Sequence, residues 1–331
     1  MQLQRPRSVF VVLLCATLGV ARLSAAASVE TILDNDTNLF VPGAATTDRN
    51  YTQGSRVAWH SDAGAMPGWA HRVADAMGGR DEAAVVRRFG LAMGQEIYTP
   101  DAISSRRRIV NDRPYAGWMY GSAFVSTASE RRERSVELRA GMVGPSAQAQ
   151  EAQTWWHSKL GIRIPRGWQY QLRDEPALVL RYEERVRPFG YRRHLDLVPH
   201  AAAAVGNLAT YAAAGATVRV GLLPDDFGPG ATSRPGMGEG RNHPNGKLAP
   251  RGHLYAFARV EGRAVARDLF LDGNTFQRGE HVSRIPWVGE SQMGMGARWK
   301  SVGLRYLFSY TTNQFREHPD AHRYGSFAIS F

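Results

Sequence analysis

Cysteine is almost absent from this chain: the single copy, Cys15, lies within the first 27 residues. Downstream of it there can be no disulfide, no thiolate nucleophile and no cysteine-based metal site. Long apolar runs are missing as well. Residues 9–20 form an apolar stretch of about a dozen residues, whereas a helix needs ~20 to cross a bilayer. No later run reaches ~18 residues, so no spanning helix is available. There is no GxSxG, which excludes a serine-hydrolase elbow, and no HExxH, which excludes the common zinc-protease helix. Internal repeats and low-complexity segments are absent too.

What is present begins with a targeting pattern. Arg5 and Arg7 precede the apolar run, and Ala25-Ala26-Ala27 offers a small-residue cleavage site before Ser28. We expect a secretory signal peptide over 1–27 and one domain over 28–331. Leu14 stands where a lipoprotein signal wants a small residue before its cysteine, so lipid attachment at Cys15 is not expected. The formal charge is +11; Arg5, Arg7 and Arg22 are the only charged residues of the leader, so its removal leaves +8. Such a charge suits nucleic acid or an anionic membrane surface, or simply a charged surface. Export makes a nucleic-acid partner the poorer choice. With no spanning helix, an exported chain of this length is a soluble periplasmic protein or a membrane β-barrel.

Strand patterning favours the barrel. In 134–142, Val136, Leu138, Ala140 and Met142 alternate with Ser135, Glu137, Arg139 and Gly141. Leu178, Leu180 and Tyr182 alternate with Val179, Arg181 and Glu183, and Val302, Leu304, Tyr306, Phe308 and Tyr310 form a third apolar file. Charges inside alternating strands and aromatics near their ends fit lipid outside and a polar lumen inside. The chain closes on Phe327, Ile329 and Phe331, all on one strand face. A terminal aromatic of this kind resembles the signal read by the barrel-assembly machinery. The expected fold is all-β, a 12-stranded antiparallel transmembrane barrel with strands near 28–36, 53–60, 86–98, 115–127, 133–143, 176–187, 194–204, 209–222, 251–260, 286–299, 301–311 and 323–331. Connections 37–52, 99–114, 144–175, 205–208, 261–285 and 312–322 then lie outside the cell. Segments 128–132, 188–193 and a tight turn at Lys300 lie in the periplasm. Two periplasmic connections, 61–85 and 223–250, are long; the first holds a helix-like piece over 69–77, and the second is rich in Gly and Pro.

One stretch stands out among the strands. Residues 144–161, GPSAQAQEAQTWWHSKLG, predict the one extracellular-loop helix. Gly144-Pro145 opens it and Gly161 closes it. Gln153 and His157 are four apart and share a face, with Trp155, Trp156 and Leu160 as an apolar side. Under the barrel topology this helix meets Asn35 and Asp36 at the end of the first strand and Thr52 at the start of the second. The same rim carries the loop holding Arg106, Arg107 and Arg108. Asp, Asn, Thr and Gln oxygens suit a hard cation such as Ca²⁺, a histidine suits a general base, and arginines suit phosphate. The set describes a water-activating hydrolase. Each member also has a plainer role: turn former, surface histidine, interfacial tryptophan or solvated basic loop.

Several further motifs make the chain similar to the lipid A deacylase LpxR-type outer-membrane proteins. They are Asn35-Asp36, the run Thr47-Asp48-Arg49-Asn50-Tyr51-Thr52-Gln53-Gly54, Tyr98-Thr99-Pro100 and Asp112-Arg113-Pro114-Tyr115-Ala116-Gly117-Trp118. To these add Gly144-Pro145, Gln153, His157, Gly167-Trp168, Gln171, Pro199-His200, Gly206-Asn207, Leu223-Pro224-Asp225-Asp226-Phe227-Gly228-Pro229 and Phe270-Leu271-Asp272-Gly273-Asn274-Thr275-Phe276. The resemblance covers essentially all of the chain after the leader. It implies a 12-stranded outer-membrane barrel that removes the 3′-O-linked acyloxyacyl group of lipid A, with Ca²⁺ helping to form the oxyanion hole and a histidine activating water. It implies catalytic roles for Asn35, Asp36, Thr52, Gln153 and His157, with Asn35, Asp36 and Thr52 at the metal. Arg106 and Arg107 are candidates for the lipid A phosphates. Two positions depart from the pattern: Ser105-Arg106 stands where a Lys-Arg pair belongs, and Arg163 stands where a glutamate belongs. The partners implied are lipopolysaccharide and outer-membrane lipids, with the site facing the outer leaflet. The alternatives are a catalytically silent lipopolysaccharide-binding or structural barrel and, third, a small porin.

Overall fold

The computed structural model describes residues 28–36, 48–78, 85–228, 252–317 and 321–331. The expected signal peptide, with Cys15, and the part of 223–250 beyond Gly228 lie outside the described residues. Twelve strands are present: β1 Ser28–Asn35, β2 Asn50–His60, β3 Val86–Thr99, β4 Ala116–Ala128, β5 Arg132–Val143, β6 Glu175–Val186, β7 Leu195–Gly206, β8 Ala209–Leu222, β9 His253–Asp268, β10 Trp287–Trp299, β11 Val302–Thr311 and β12 His322–Ser330. Each pairs antiparallel with its sequence neighbours, and β1 also pairs with β12, Glu30 opposite Ser330 and Asn35 opposite Gly325, which closes the barrel. Closure leaves no strand edge unpaired, the condition for strands to cross a bilayer. Phe331 continues the seam by exchanging backbone hydrogen bonds with Val29.

The period-two reading holds along the wall. Leu138 and Leu178 are 43% and 48% exposed on the outside, while Glu137 and Arg139 turn inward. The lumen is packed with ion pairs rather than with aliphatic side chains. Arg56 and Arg139 both bond Glu137, at 2.8 and 2.9 Å, and Arg181 and Arg185 share Glu183 at 3.0 and 3.2 Å. Glu261 bonds Arg259 at 2.6 Å and Arg263 at 2.7 Å. Unpaired, such charges could not stay out of water; paired and hydrogen-bonded, they fill the interior. The same charges explain a difference at β9, which the sequence ends near 260 but which runs to Asp268. Glu261 and Arg263 look like loop residues, yet they face the lumen within a continuing ladder to β8 and β10.

Among the described residues, chain packs into both mouths. At the end where β1 finishes, the four-residue helix Leu269–Asp272 places Phe270 on the ring of Tyr98, centroids 4.0 Å apart. At the other end, residues 223–228 fold into the opening: Phe227 lies under the Arg187 guanidinium at 4.3 Å, and Asp226 bonds Arg219 at 2.6 Å.

Two longer helices dock on the outside of the same wall. Helix α1, Gly68–Ala76, falls on the helix-like piece of 61–85 and packs Ala70 and Ala74 against Val125 and Phe89. Helix α2, Ala149–Leu160, packs against β3 and β4 near their other ends. Gly117 and Val125 are eight residues apart on β4, roughly 27 Å along the strand. The two helices therefore flank a lipid-facing band of the height a barrel presents to a membrane, ~25 Å.

Candidate active site on the outer wall of the barrel

Alternation fixes which side of the wall each rim residue faces. Glu30 meets Arg305 and Asp34 accepts the Tyr51 phenol in the lumen, so Asn35, of opposite parity, faces out. Glu96 meets Arg139 inside, so Ile97 and Thr99 face out. The β2 register shifts between Tyr51 and Gln53, and Thr52 sits at this irregularity with its hydroxyl 2.7 Å from that of Thr99. Gly117 faces out between lumen-facing neighbours.

The polypeptide then lays α2 across this outward surface. Pro145 was expected to open the α-helix; instead it opens a 3₁₀ turn, Pro145–Ala147, that ends at Gln148 in a left-handed conformation (φ 55°). Asp174 explains the separate turn, accepting from the Ser146 backbone N–H at 2.7 Å and its hydroxyl at 2.8 Å. Gly161 closes the helix as expected, at φ 67°. The approach to the wall is very close. A Cβ on Gly117 would lie 2.3 Å from the Ala149 Cβ, and Gln95 donates to the Ala147 carbonyl at 2.6 Å.

The face that α2 turns to the barrel is Ala149, Gln153 and His157, all buried. Leu160, expected on the apolar side, is 61% exposed, and Trp155 and Trp156 are half-buried, edge to face at 5.0 Å. A helix that buries its glutamine and histidine and exposes its leucine is built around polar chemistry in the seam. Gln153 accepts from the Trp168 indole at 3.0 Å. Trp168, in turn, packs with Tyr115, Ile97, Ile103 and Ala149.

His157 uses both ring nitrogens: Nδ1 pairs with the Arg163 carbonyl, and Nε2 stands 3.4 Å from Asp48 Oδ1. Burial works against a charge on this ring, but the hydrogen bond and charge of Asp48, with the Arg163 carbonyl, outweigh it and hold the histidine above its ordinary value. Asp36 is buried near Asp48. Its Oδ2 accepts the Arg49 N–H at 2.9 Å, and its own N–H reaches the Thr52 carbonyl at 3.3 Å. Asp36 Oδ1 has no hydrogen-bond partner among the described residues. Burial first, and the neighbouring Asp48 charge second, push Asp36 well above the usual carboxylate range.

An unpaired buried carboxylate oxygen facing a second acid is a place where a hard cation would relieve both. Among the described residues no group of three or more His, Cys, Asp or Glu forms a ligand cluster. The remaining oxygens would have to be neutral, and Asn35 and Thr52 supply them. The donor set therefore fits Ca²⁺ better than zinc.

Asn35, Asp36 and Thr52 thus share one rim, and Gln153 and His157 share the helix face above it. Arg106 and Arg107 are not brought into this cluster. Both are exposed, and the contacts nearby go to backbone: Gln169 donates to the Arg106 carbonyl at 3.2 Å and the Arg107 N–H to the Ser105 hydroxyl at 3.1 Å. Arg108 leaves in another direction, to Glu280 at 2.8 Å. Three contributors were not singled out from sequence: Asp48, Trp168 and the Arg163 carbonyl. Asp48 and Trp168 lie inside motifs that carry the resemblance; a backbone carbonyl leaves no residue-type signal at all.

Over residues 9–331 the sequence matches the family described as outer membrane protein LpxR. The chain matches no curated protein sequence. Among solved structures it is similar to LpxR from Salmonella typhimurium, with TM-score 0.74 and 22% identity over 92% of this chain and 99% of that one. It also matches the β domain of the Bordetella autotransporter BrkA, with TM-score 0.43 and 10% identity over 92% and 97% of the two chains.

Proposed function

Since the chain belongs to the LpxR family of outer-membrane proteins, we propose that it hydrolyses an ester of lipid A in the outer leaflet, as a lipid A 3′-O-deacylase does. The observation that carries this reading is the His157–Asp48 pair held in a polar seam on the lipid-facing wall, where an acyl ester can arrive sideways from the membrane. His157 is the general base. With Nδ1–H given to the Arg163 carbonyl, the lone pair is at Nε2, and that nitrogen takes the proton of the attacking water. Asp48 then faces the imidazolium so formed and stabilises it. Gln153 hydrogen-bonds the reacting ester group. Asn35, Asp36 and Thr52 are the residues that would hold Ca²⁺, whose chemistry when bound is to polarise the ester carbonyl. Arg106 and Arg107, exposed near the same rim, are free to meet lipid A phosphates as the substrate docks. The leader over 1–27 serves export, and Phe331 serves recognition by the barrel-assembly machinery.

Arg163 in place of a glutamate favours the silent-barrel reading, but its contribution to His157 is a backbone carbonyl, which any residue provides. The small porin is the weakest reading, because ion pairs fill the lumen. Mass spectra of lipid A from a Gram-negative host expressing the protein decide between them. Loss of an acyl group that requires Ca²⁺ and disappears with His157→Ala supports the enzyme. An unchanged spectrum from a folded barrel sinks it.

A further inference from the structure

We propose that Trp168 is a positioning residue that locks the Gln153 amide in one orientation, so that its NH₂ group, and not its carbonyl, is offered to a substrate oxygen in the seam. The inference rests on the hydrolase reading and adds a residue to it.

The two side chains differ in what they can donate. An amide can be turned by half a rotation at little cost in shape, and its hydrogen-bond partners decide which way it faces. An indole can only donate. The Trp168 Nε1–H lies 3.0 Å from Gln153 Oε1, with both residues 1% exposed, so the amide oxygen is committed to the tryptophan. Gln153 Nε2 must then face the other way. There it is buried, with no hydrogen-bond partner among the described residues. A buried N–H without an acceptor is costly to keep. Turning the amide would strand the indole as well, so the tryptophan maintains the unpaired-donor arrangement that the glutamine alone would not keep.

The place of that donor gives it a use. Gln153 lies one turn of α2 before His157 on the same buried face, roughly 6 Å along the axis. When water adds to an ester, the carbonyl oxygen becomes anionic. An NH₂ group next to it stabilises that charge, and an amide oxygen there would oppose it. Trp168 is itself held firmly: it opens the 3₁₀ turn Trp168–Tyr170, packs 4.9 Å from the Tyr115 ring, and Tyr115 donates to the Ile103 carbonyl at 3.0 Å.

The test is a double-mutant cycle on the full-length, detergent-solubilised protein with lipid A in mixed micelles and Ca²⁺. Trp168→Phe keeps an aromatic ring in the cluster and removes only the donor. It should lower kcat about tenfold and leave KM unchanged, the size of one charge-assisted hydrogen bond. Gln153→Glu presents an acceptor where the donor was and should lower kcat further. The two combined should be no worse than Gln153→Glu alone, because the tryptophan acts through the glutamine. Full activity in Trp168→Phe, or losses that add in the double variant, overturn the proposal. A second arm needs no activity. In ¹⁵N-tryptophan-labelled protein, the indole N–H signal that Trp168→Phe removes should exchange slowly with D₂O, and at least tenfold faster in Gln153→Leu. Equal exchange in the two proteins overturns the clamp. A wild type that cleaves no ester ends the hydrolase reading and the catalytic role of Trp168 with it, while the exchange rates still decide whether the amide is locked.

Discussion

His157 Nε2 stands 3.4 Å from Asp48 Oδ1, and the opposite nitrogen of the same ring is bonded to the Arg163 carbonyl. An imidazole with an acceptor at each end favours its protonated form, so in the proposed hydrolysis the neutral base has to be won back from that form.

The sign of the pH dependence follows. Burial disfavours the charged ring, Asp48 more than offsets it, and His157 titrates above the ordinary histidine value. The neutral base therefore accumulates only as pH rises through this raised value, and the acid limb of the rate–pH profile should lie above that of a free histidine. Asp48→Asn should move the limb to lower pH and reduce the rate at its plateau, since the imidazolium formed during reaction loses its counter-charge. The stability linkage runs the other way. The pair stabilises the folded state fully below the unfolded histidine value, and this contribution is lost as pH rises through the raised one. Initial rates between pH 5 and 9 for both proteins measure it; coincident limbs would refute the pairing.

Asp36 makes the second prediction. Its carboxylate is buried, pushed upward by burial and by Asp48, and left with an unpaired oxygen among the described residues. Chelation by EGTA should abolish hydrolysis and added Ca²⁺ should restore it. Asp36→Asn removes one charge from the proposed Ca²⁺ site and should raise the Ca²⁺ concentration for half-activation by about tenfold or more. Without Ca²⁺ the same variant should unfold at a higher temperature than the wild type, because a buried acid facing another acid has gone. A Ca²⁺ titration and a melting curve give both readouts.

The third concerns the fit of helix to wall. At Gly117 an added Cβ would meet the Ala149 Cβ at 2.3 Å and that of Ala147 at 3.2 Å. Gly117→Val must lift α2 off β4, with an overpacking cost of about 1–3 kcal/mol. The barrel ladders do not depend on this contact. Activity should therefore collapse and the 144–175 connection become open to protease, while the folded barrel keeps its heat-modifiable mobility in gels. A variant that stays active would show that the close approach is not what forms the site.

Legibility in the sequence follows from how local each signal is. Strand parity is local: Leu138 and Arg139 are neighbours on opposite faces, and the twelve strands could be placed within a few residues. The end of β9 was not legible, because Glu261 and Arg263 also reach residues far along the chain, Glu261 to His200 of β7 and Arg263 to Glu290 of the next strand. In the site, Gln153 and His157 could be put on one face from their spacing, since α2 preserves it. Asp48 could not be chosen from its spacing, as its partner is more than a hundred residues away. Leu160 was placed on a packed side because it is apolar, whereas the packed side of this helix is polar.

The last prediction separates the lumen from the site. Glu137 is held between Arg56 at 2.8 Å and Arg139 at 2.9 Å, with side chains almost wholly out of water. Glu137→Gln leaves two guanidinium groups facing each other inside the barrel, and breaking a buried pair from one side costs about 3–5 kcal/mol. The variant should unfold at a clearly lower temperature, read from the gel mobility of heated samples. Its deacylation rate at a temperature where it is folded should match the wild type, because Glu137 faces the lumen and the His157 seam lies on the outer face of the wall. Single-channel recordings of the wild type should stay closed, since ion pairs fill the interior. A conducting wild type would revive the porin reading. A folded Glu137→Gln protein with altered lipid A turnover would mean that the lumen and the seam are coupled through β4 and β5, and the outer-wall site would then need a lumenal contribution.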